Sequence, residues 1–160
     1  MLSKSRGICI TLLLAILSIA ACVPNASVQS SSSETAFMSK KNIDTSRGTF
    51  AYRTSGTSSA TPVVMIHGWP ENSFTWDRVA ANLNTSLRVI APDLRGLGDS
   101  PRTLTVSSYT KLELAKDVVA MLDAMGIKDF FLVGHDWGGA VAQHIAFLYP
   151  NRVKKLVIIN

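Results

Sequence analysis

Predominantly apolar runs of strand length, separated by helical segments, constrain the fold of this chain more than any other feature. The runs cover residues 62–66, 87–91, 130–133 and 153–159. A continuous apolar run of this length is typical of a strand covered on both faces of a sheet. A further short strand over residues 49–53 is predicted near the edge of the sheet.

Helical periodicity is found in the three segments between these runs. The first segment places Trp76, Val79, Ala80 and Leu83 on one face. In the second, Thr110 and Glu113 match a capping box, and Gly126 suits the position after the helix. The apolar stripe of that helix comprises Leu112, Ala115, Val118, Val119, Leu122 and Met125. The third helix covers about 138–149, before Pro150.

Strands that alternate with helices in this way predict an α/β fold. Parallel strands are joined by right-handed crossovers, which place helices on both faces of a mostly parallel sheet. The pattern begins at about residue 41, so we assign residues 41–160 to this domain.

The amino-terminal segment has the features of an export signal. Lys4 and Arg6 precede an apolar run over residues 8–21, which is shorter than the roughly 20 residues of a membrane-spanning helix. A basic start followed by a short apolar run is typical of a secretory signal peptide. We therefore predict a signal peptide over residues 1–21 and an exported protein.

The end of this run resembles the lipobox of bacterial lipoproteins. Residues 19–22 read Ile-Ala-Ala-Cys, and the resemblance implies that Cys22 carries a lipid. Acyl chains on Cys22 would make the membrane a partner and place the protein in the periplasm or cell envelope. A serine-rich tether over residues 22–40 would follow. The alternative is an ordinary signal, an unmodified Cys22 and a secreted protein.

Cysteine content and charge exclude several classes of function. The two cysteines are Cys9 and Cys22, so residues 41–160 offer no disulfide, cysteine nucleophile or thiolate metal site. Of the formal charge of +5, Lys4 and Arg6 account for two, and the remaining +3 is not clustered. We expect no nucleic-acid partner, no metal and no cofactor.

The run Gly134-His135-Asp136-Trp137-Gly138-Gly139 lies directly between a predicted buried strand and a predicted helix. This is the placement of a nucleophile elbow, a sharp turn that exposes its central side chain above the sheet. Small residues flank the centre because the turn packs backbone against backbone. Asp136 is therefore a candidate nucleophile, and the alternative is that it caps the following helix.

A second motif, His67-Gly68-Trp69-Pro70, follows the strand over residues 62–66. In this type of fold, the backbone N–H groups of Trp69 and Trp137 would form an oxyanion hole. Pro70 restricts the loop and permits a cis bond. We expect His67 to brace this loop by hydrogen bonds rather than to transfer protons.

A third motif, over residues 91–100, follows the next strand. We expect Asp93 and Arg95 to fix this turn by hydrogen bonds. His144 lies about two helical turns beyond Asp136, and we interpret it as an ordinary helix residue.

With these three motifs in order, residues 41–160 resemble α/β-hydrolases of the epoxide hydrolase and haloalkane dehalogenase group, and most closely epoxide hydrolases. The resemblance implies that the Asp136 carboxylate attacks an epoxide carbon and forms an ester. Water activated by a His–acid pair then releases a diol, while the Trp69 and Trp137 amides hold the oxyanion. The implied substrate is a small apolar epoxide or a related electrophile.

Near relatives of epoxide hydrolases differ at two positions. Haloalkane dehalogenases often carry Asn where Trp69 stands, which argues against that activity. They commonly have a tryptophan like Trp137, however, so haloalkane dehalogenation is the alternative activity. Fluoroacetate dehalogenases resemble the pattern with Arg at the Trp137 position, which argues against them.

The resemblance also implies a lid domain and two further strands, with the catalytic acid and histidine, after the strand over residues 153–159. Some relatives place the acid near Asn160, where asparagine cannot serve. We therefore expect the amino-terminal portion of such a hydrolase, truncated near Asn160. Two hypotheses remain, a fragment of a longer active enzyme and a catalytically inactive truncated product.

Overall fold

A computed structural model describes residues 38–160, except for residues 57, 58, 60 and 84–86. The described residues all belong to one compact unit. The predicted signal peptide, Cys22 and most of the predicted tether lie outside the described residues. Within the described part of the chain, no helix is long and apolar enough to cross a membrane.

In the described part of the chain, six strands form one sheet, with three helices inserted between consecutive parallel strands. In chain order the elements are β1 (Ser39–Thr45), β2 (Gly48–Ser55), β3 (Val63–Ile66), α1 (Asp77–Ala81), β4 (Val89–Pro92), α2 (Lys111–Ala124), β5 (Phe130–His135), α3 (Trp137–Leu148) and β6 (Val153–Ile159). Single 3₁₀ turns precede α1 and α2.

The strand order in the sheet is β1-β2-β4-β3-β5-β6. β1 and β2 pair antiparallel, and β2 pairs antiparallel with β4. All pairings among β4, β3, β5 and β6 are parallel. The predicted α/β fold with a mostly parallel sheet is therefore confirmed.

Two apolar clusters cover the two faces of the sheet. Val64 and Ile66 point into the larger cluster, with α2 and α3, while Met65 points into the smaller one, with Trp76 and Ala80. This division follows from the alternation of side chains along a strand. Helices consequently lie on both faces, as the sequence predicted.

The predicted apolar stripes are correct except at two positions. Val79 is 43% exposed because a 3₁₀ turn precedes α1, a helix of five residues, which changes the angular spacing. Leu112, in the first turn of α2, is 37% exposed.

β1 was not predicted, and it begins two residues before the domain boundary that the sequence suggested.

The structure confirms that Thr110 caps the start of α2 and that Gly126 follows its end. The Glu113 N–H donates to Thr110 Oγ1 at 3.3 Å, and Gly126 has a φ of +69°. The Glu113 carboxylate binds Arg47 and Lys116, so it does not complete the capping box. Thr110 thus fixes the start of α2, which lies next to the candidate site described below.

Candidate active site

The turn between β5 and α3 has the geometry of a nucleophile elbow. Asp136 has a φ of +50° and a ψ of −121°, and no other non-glycine residue in the described part of the chain has a positive φ. A Cβ at Gly134 would overlap the backbone of Gly138, and one at Gly138 would overlap the carbonyl oxygen of Ile66. Glycine at both positions therefore permits the close backbone packing that the sequence predicted.

Asp136 stands at the N-cap position of α3, but its side chain does not form an N-cap hydrogen bond. Instead, the Trp69 N–H donates to Asp136 Oδ1 at 2.9 Å. The carboxylate is exposed at the carboxyl end of the sheet. The geometry thus favours the elbow over the capping interpretation that the sequence left open.

Hydrogen bonds keep the Asp136 carboxylate ionised. The backbone N–H of Trp69, and after it that of Trp137, lowers the pKa of Asp136, while partial desolvation opposes them. The charges of His135 and Lys111 lower this pKa further. The two amides that the sequence assigned to an oxyanion hole therefore both act on the candidate nucleophile.

The loop after β3 passes directly over Asp136. A Cβ at Gly68 would lie 2.7 Å from Asp136 Cβ, so this position requires glycine. The following Trp69–Pro70 peptide bond is cis. Close approach of the loop brings the Trp69 N–H within hydrogen-bond distance of the carboxylate.

His67 braces this loop, as predicted. The Leu94 N–H donates to His67 Nε2 at 3.0 Å, so Nε2 accepts and Nδ1 carries the proton that it donates to Gly68 O at 2.7 Å. The ring is fully buried, and burial lowers the pKa of His67. A neutral histidine with both nitrogens bonded holds the loops after β3 and β4 together and has no nitrogen left for a base.

Glu71 links the loop after β3 to the end of β5. Its Oε2 accepts from the Gly68 N–H at 3.1 Å and lies 3.3 Å from His135 Nδ1. The sequence analysis did not identify Glu71, because its two partners become neighbours only through the pairing of β3 with β5.

The turn after β4 is fixed as the sequence predicted. Asp93 Oδ1 accepts from the Ser73 N–H at 2.7 Å, and Oδ2 accepts from the Asp99 N–H at 3.0 Å. Arg95 donates two hydrogen bonds to Asp117 of α2, at 2.7 and 2.8 Å. Asp93 and Arg95 are thus committed to the structure of the turn.

Two indole rings border a small pocket beside the elbow. The Trp69 and Trp137 ring centroids are 6.0 Å apart, and both rings are at least 40% exposed. The pocket has a volume of about 200 Å³ and is lined by Trp69, Arg95, Gly96, Leu97, Tyr109, Leu114 and Trp137. Its apolar lining suits a small apolar ligand.

Lys111 is a residue near the site that the sequence analysis missed. As the first residue of α2, it places Nζ 3.0 Å from the Trp137 ring centroid. In sequence, a lysine in the first turn of a helix resembles any solvated surface residue, so no signal distinguished it.

Among the described residues, the remaining polar groups form neither a metal site nor an evident general base. In the described ranges, no cluster of three or more His, Cys, Asp or Glu side chains has the arrangement of a metal site. His144 is exposed and its Nδ1–H donates to Ala140 O at 2.9 Å within α3. It is an ordinary helix residue, as predicted.

Comparison with known proteins places this geometry in a family context. A family model described as "alpha/beta hydrolase fold" matches residues 61–160. The chain is 43% identical to epoxide hydrolase 3 of Siraitia grosvenorii, over 61% of this chain and 31% of that protein. It is 39% identical to a soluble epoxide hydrolase of Corynebacterium sp. (strain C12), over 68% of this chain and 37% of that protein.

The fold is also similar to that of solved structures. One is a haloalkane dehalogenase DbeA-M1 loop variant from Bradyrhizobium elkanii, with a TM-score of 0.70 and 34% identity, over 77% of this chain and 40% of that one. The chain spans about a third of the length of these curated relatives, at 31% and 37%.

Proposed function

This chain belongs to the alpha/beta hydrolase fold family, and we propose that its protein is a hydrolase that opens epoxides to diols with Asp136 as nucleophile. The observation that carries the proposal is the exposed Asp136 carboxylate, held on the elbow and kept ionised by the Trp69 N–H at 2.9 Å. The identity to epoxide hydrolases supports the choice of substrate class.

In the first step, an Asp136 carboxylate oxygen attacks an epoxide carbon from the side opposite the ring oxygen. A new C–O bond forms as the old one breaks, and the ring oxygen leaves with the electron pair and takes up a proton from a general acid or from water. A carboxylate suits this displacement because its product is an ester. Serine in its place would form an ether, which water does not readily cleave.

In the second step, water adds to the ester carbonyl carbon of Asp136. The carbonyl oxygen becomes an oxyanion, and the amides of Trp69 and Trp137 are placed to stabilise it. The attacking water gives one proton to a base, and on collapse of the intermediate the departing alkoxide takes up that proton and leaves as the diol. The Asp136 carboxyl group loses its remaining proton to solvent, which regenerates the carboxylate. Preorganised donors of this kind typically contribute about 10²–10³-fold each to the rate.

Displacement of halide from a haloalkane is the second candidate activity. It uses the same carboxylate, and the exposed Trp137 and Trp69 indoles beside it would present N–H groups to a leaving halide. The similarity to a haloalkane dehalogenase structure supports this alternative. The absence of asparagine at position 69 places it second.

Turnover by the full-length protein tests the proposal. Wild type is expected to convert a terminal epoxide to its diol faster than it releases halide from the matching bromoalkane. Asp136→Asn keeps the size of the side chain but removes the nucleophile, so diol formation should fall by at least about 10³-fold. Asp123→Asn, on the exposed end of α2, is the matched control. Unchanged turnover in Asp136→Asn would reject Asp136 as the nucleophile.

Export and lipid anchoring through Cys22 form a separate part of the proposal. It is supported by the apolar run over residues 8–21 and the small residues before Cys22. Labelling with radioactive palmitate in a bacterial host should mark wild type but not Cys22→Ser. Equal labelling of both proteins would reject the anchor.

A further inference from the structure

The Lys111 ammonium is held beside the elbow by the indole ring of Trp137. Its Nζ lies 3.0 Å from the centroid of that ring, which is a cation–π contact. Lys111 is the first residue of α2, and Thr110 fixes the start of that helix. Trp137, the first residue of α3, directly follows Asp136. The starts of two helices thus place a positive charge next to the candidate nucleophile.

No carboxylate neutralises this ammonium by direct contact. Among the described residues, no Asp or Glu oxygen lies within 4.0 Å of Lys111 Nζ. Lys116, five residues further along α2, pairs with Glu113 at 2.7 Å. Because a paired charge is partly cancelled by its partner, Lys111 exerts more of its field on its surroundings than Lys116 does.

The field of Lys111 reaches the Asp136 carboxylate. After the two backbone hydrogen bonds to Asp136, the charges of His135 and Lys111 also lower the pKa of Asp136. Burial lowers the pKa of Lys111, and the charge of Asp136 partly restores it. His135 is itself close to a carboxylate, since its Nδ1 lies 3.3 Å from Glu71 Oε2. Lys111 is half-buried, so water screens its interaction with Asp136 less than it would at a fully exposed site.

This positive charge has different consequences for the two steps of the proposed reaction. In the first step, negative charge leaves the Asp136 carboxylate for the epoxide oxygen, so a cation near Asp136 stabilises the reactant and gives no acceleration. In the second step, the addition of water returns negative charge to the Asp136 carbonyl oxygen. A cation already in place near that oxygen stabilises the transition state of the second step.

We infer that Lys111, held by the Trp137 ring, speeds hydrolysis of the Asp136 ester through its positive charge. The inference rests on the proposed function and deepens it by assigning a further residue to the second step. Lys111 contacts the Trp137 ring and not the carboxylate, so it is a positioning residue that places charge near the oxyanion rather than a group that reacts. A neutral side chain of similar length would keep the contact with the ring and lose the effect on the ester.

Single-turnover kinetics of the full-length protein with a terminal epoxide test this inference. Formation and loss of the ester are followed by acid quenching and mass spectrometry. Lys111→Met should slow loss of the ester roughly fivefold, as expected for one charge interaction in a partly hydrated site, and leave its formation within about twofold. Lys111→Arg keeps the charge and should lose the ester within about twofold of the wild-type rate. Lys116→Met, the matched control, should change neither step.

Three kinetic results would count against the proposals, and they are distinguishable. If Lys111→Met loses the ester at the wild-type rate, or slows both steps equally, the inference is wrong while the ester mechanism stands. If Lys111→Arg is as slow as Lys111→Met, the charge is not responsible and the inference is also wrong. If wild type forms no ester on Asp136, the proposed function fails and the inference with it.

A measurement without substrate tests the link between Lys111 and Asp136 independently of turnover. The carboxyl groups of ¹³C-labelled aspartates are titrated by NMR, and Asp136→Asn identifies the Asp136 signal. The pKa of Asp136 should rise in Lys111→Met and stay at the wild-type value in Lys116→Met. An unchanged pKa of Asp136 in Lys111→Met would overturn the inference even where the ester forms.

Discussion

At the scale of single residues, Asp136 combines an unfavourable backbone conformation with a favourable set of side-chain hydrogen bonds. Its φ of +50° lies in the region that favours glycine. Such conformations cost on the order of 1–3 kcal/mol and persist where the surroundings enforce them. Here, the packing of Gly134 and Gly138 enforces the turn, and the turn presents the carboxylate to the Trp69 N–H.

Backbone strain at Asp136 leads to a prediction about stability. Asp136→Gly and Asp136→Ala both remove the carboxylate, but only glycine tolerates the positive φ. The glycine variant should therefore have the larger free energy of unfolding, by about 1 kcal/mol, in urea titrations. Gly126→Ala is the control, because Gly126 has a φ of +69° and open space around it. This substitution should lower the free energy of unfolding by a similar amount. Equal stability of the two Asp136 variants would contradict the assigned strain.

His67 leads to a prediction about pH. Burial lowers its pKa in the folded state, so the unfolded chain binds a proton more readily. The contribution of His67 to stability is therefore present above the ordinary histidine pKa of about 6.5 and is lost as the pH falls from there towards the lowered pKa. In denaturation between pH 7.5 and about 5, wild type should lose more stability than His67→Gln. His144→Gln, at an exposed position, should lose as much stability as wild type. If the free energy of unfolding changed equally with pH in all three proteins, this role of His67 would be refuted.

At the scale of elements, α2 is joined to two loops through one buried carboxylate. Asp117 is 2% exposed and binds Arg95 at 2.7 Å and Arg47 at 2.5 Å. Arg95 lies in the turn after β4, and Arg47 lies between β1 and β2. Asp117 thereby holds the start of α2, with Lys111, against the loops around the pocket.

Removal of this carboxylate should destabilise the fold strongly. Asp117→Ala leaves Arg95 without its carboxylate partner and Arg47 with Glu113 alone, and breaking a buried pair costs about 3–5 kcal/mol. Asp129→Ala removes the surface pair with Lys154, whose side chains are about half exposed, and should cost less than about 1 kcal/mol. Guanidinium titrations of the two variants provide the comparison. Similar losses for both would show that Asp117 does not join these elements.

How well the elements could be predicted from the sequence depended on their burial. β3, β5 and β6 are apolar enough to be recognised, and β6 spans the predicted residues 153–159. β1 was missed because its residues are mainly polar and exposed, and its pairing with β2 is a matter of register rather than of composition. The role of Asp117 was also hidden, since its partners lie 22 and 70 residues away.

At the scale of the whole molecule, the site arises because the carboxyl ends of neighbouring parallel strands meet at one edge of the sheet. The loops after β3 and β5 bring Trp69 and Asp136 together, although they are 67 residues apart. The three motifs could be predicted because each follows a strand and carries an unusual residue pattern. Lys111 and Glu71 could not, because their relation to Asp136 exists only once the strands are paired.

In the proposed reaction the Asp136 carboxylate forms an ester with its substrate, and peptide mass spectrometry can detect that ester. Single-turnover samples of the full-length protein with a terminal epoxide are quenched in acid and digested. We expect a mass increase of one epoxide on the peptide that contains Asp136, removable by hydroxylamine and absent in Asp136→Asn. Diol formation without this adduct, or an adduct that persists in Asp136→Asn, would contradict it.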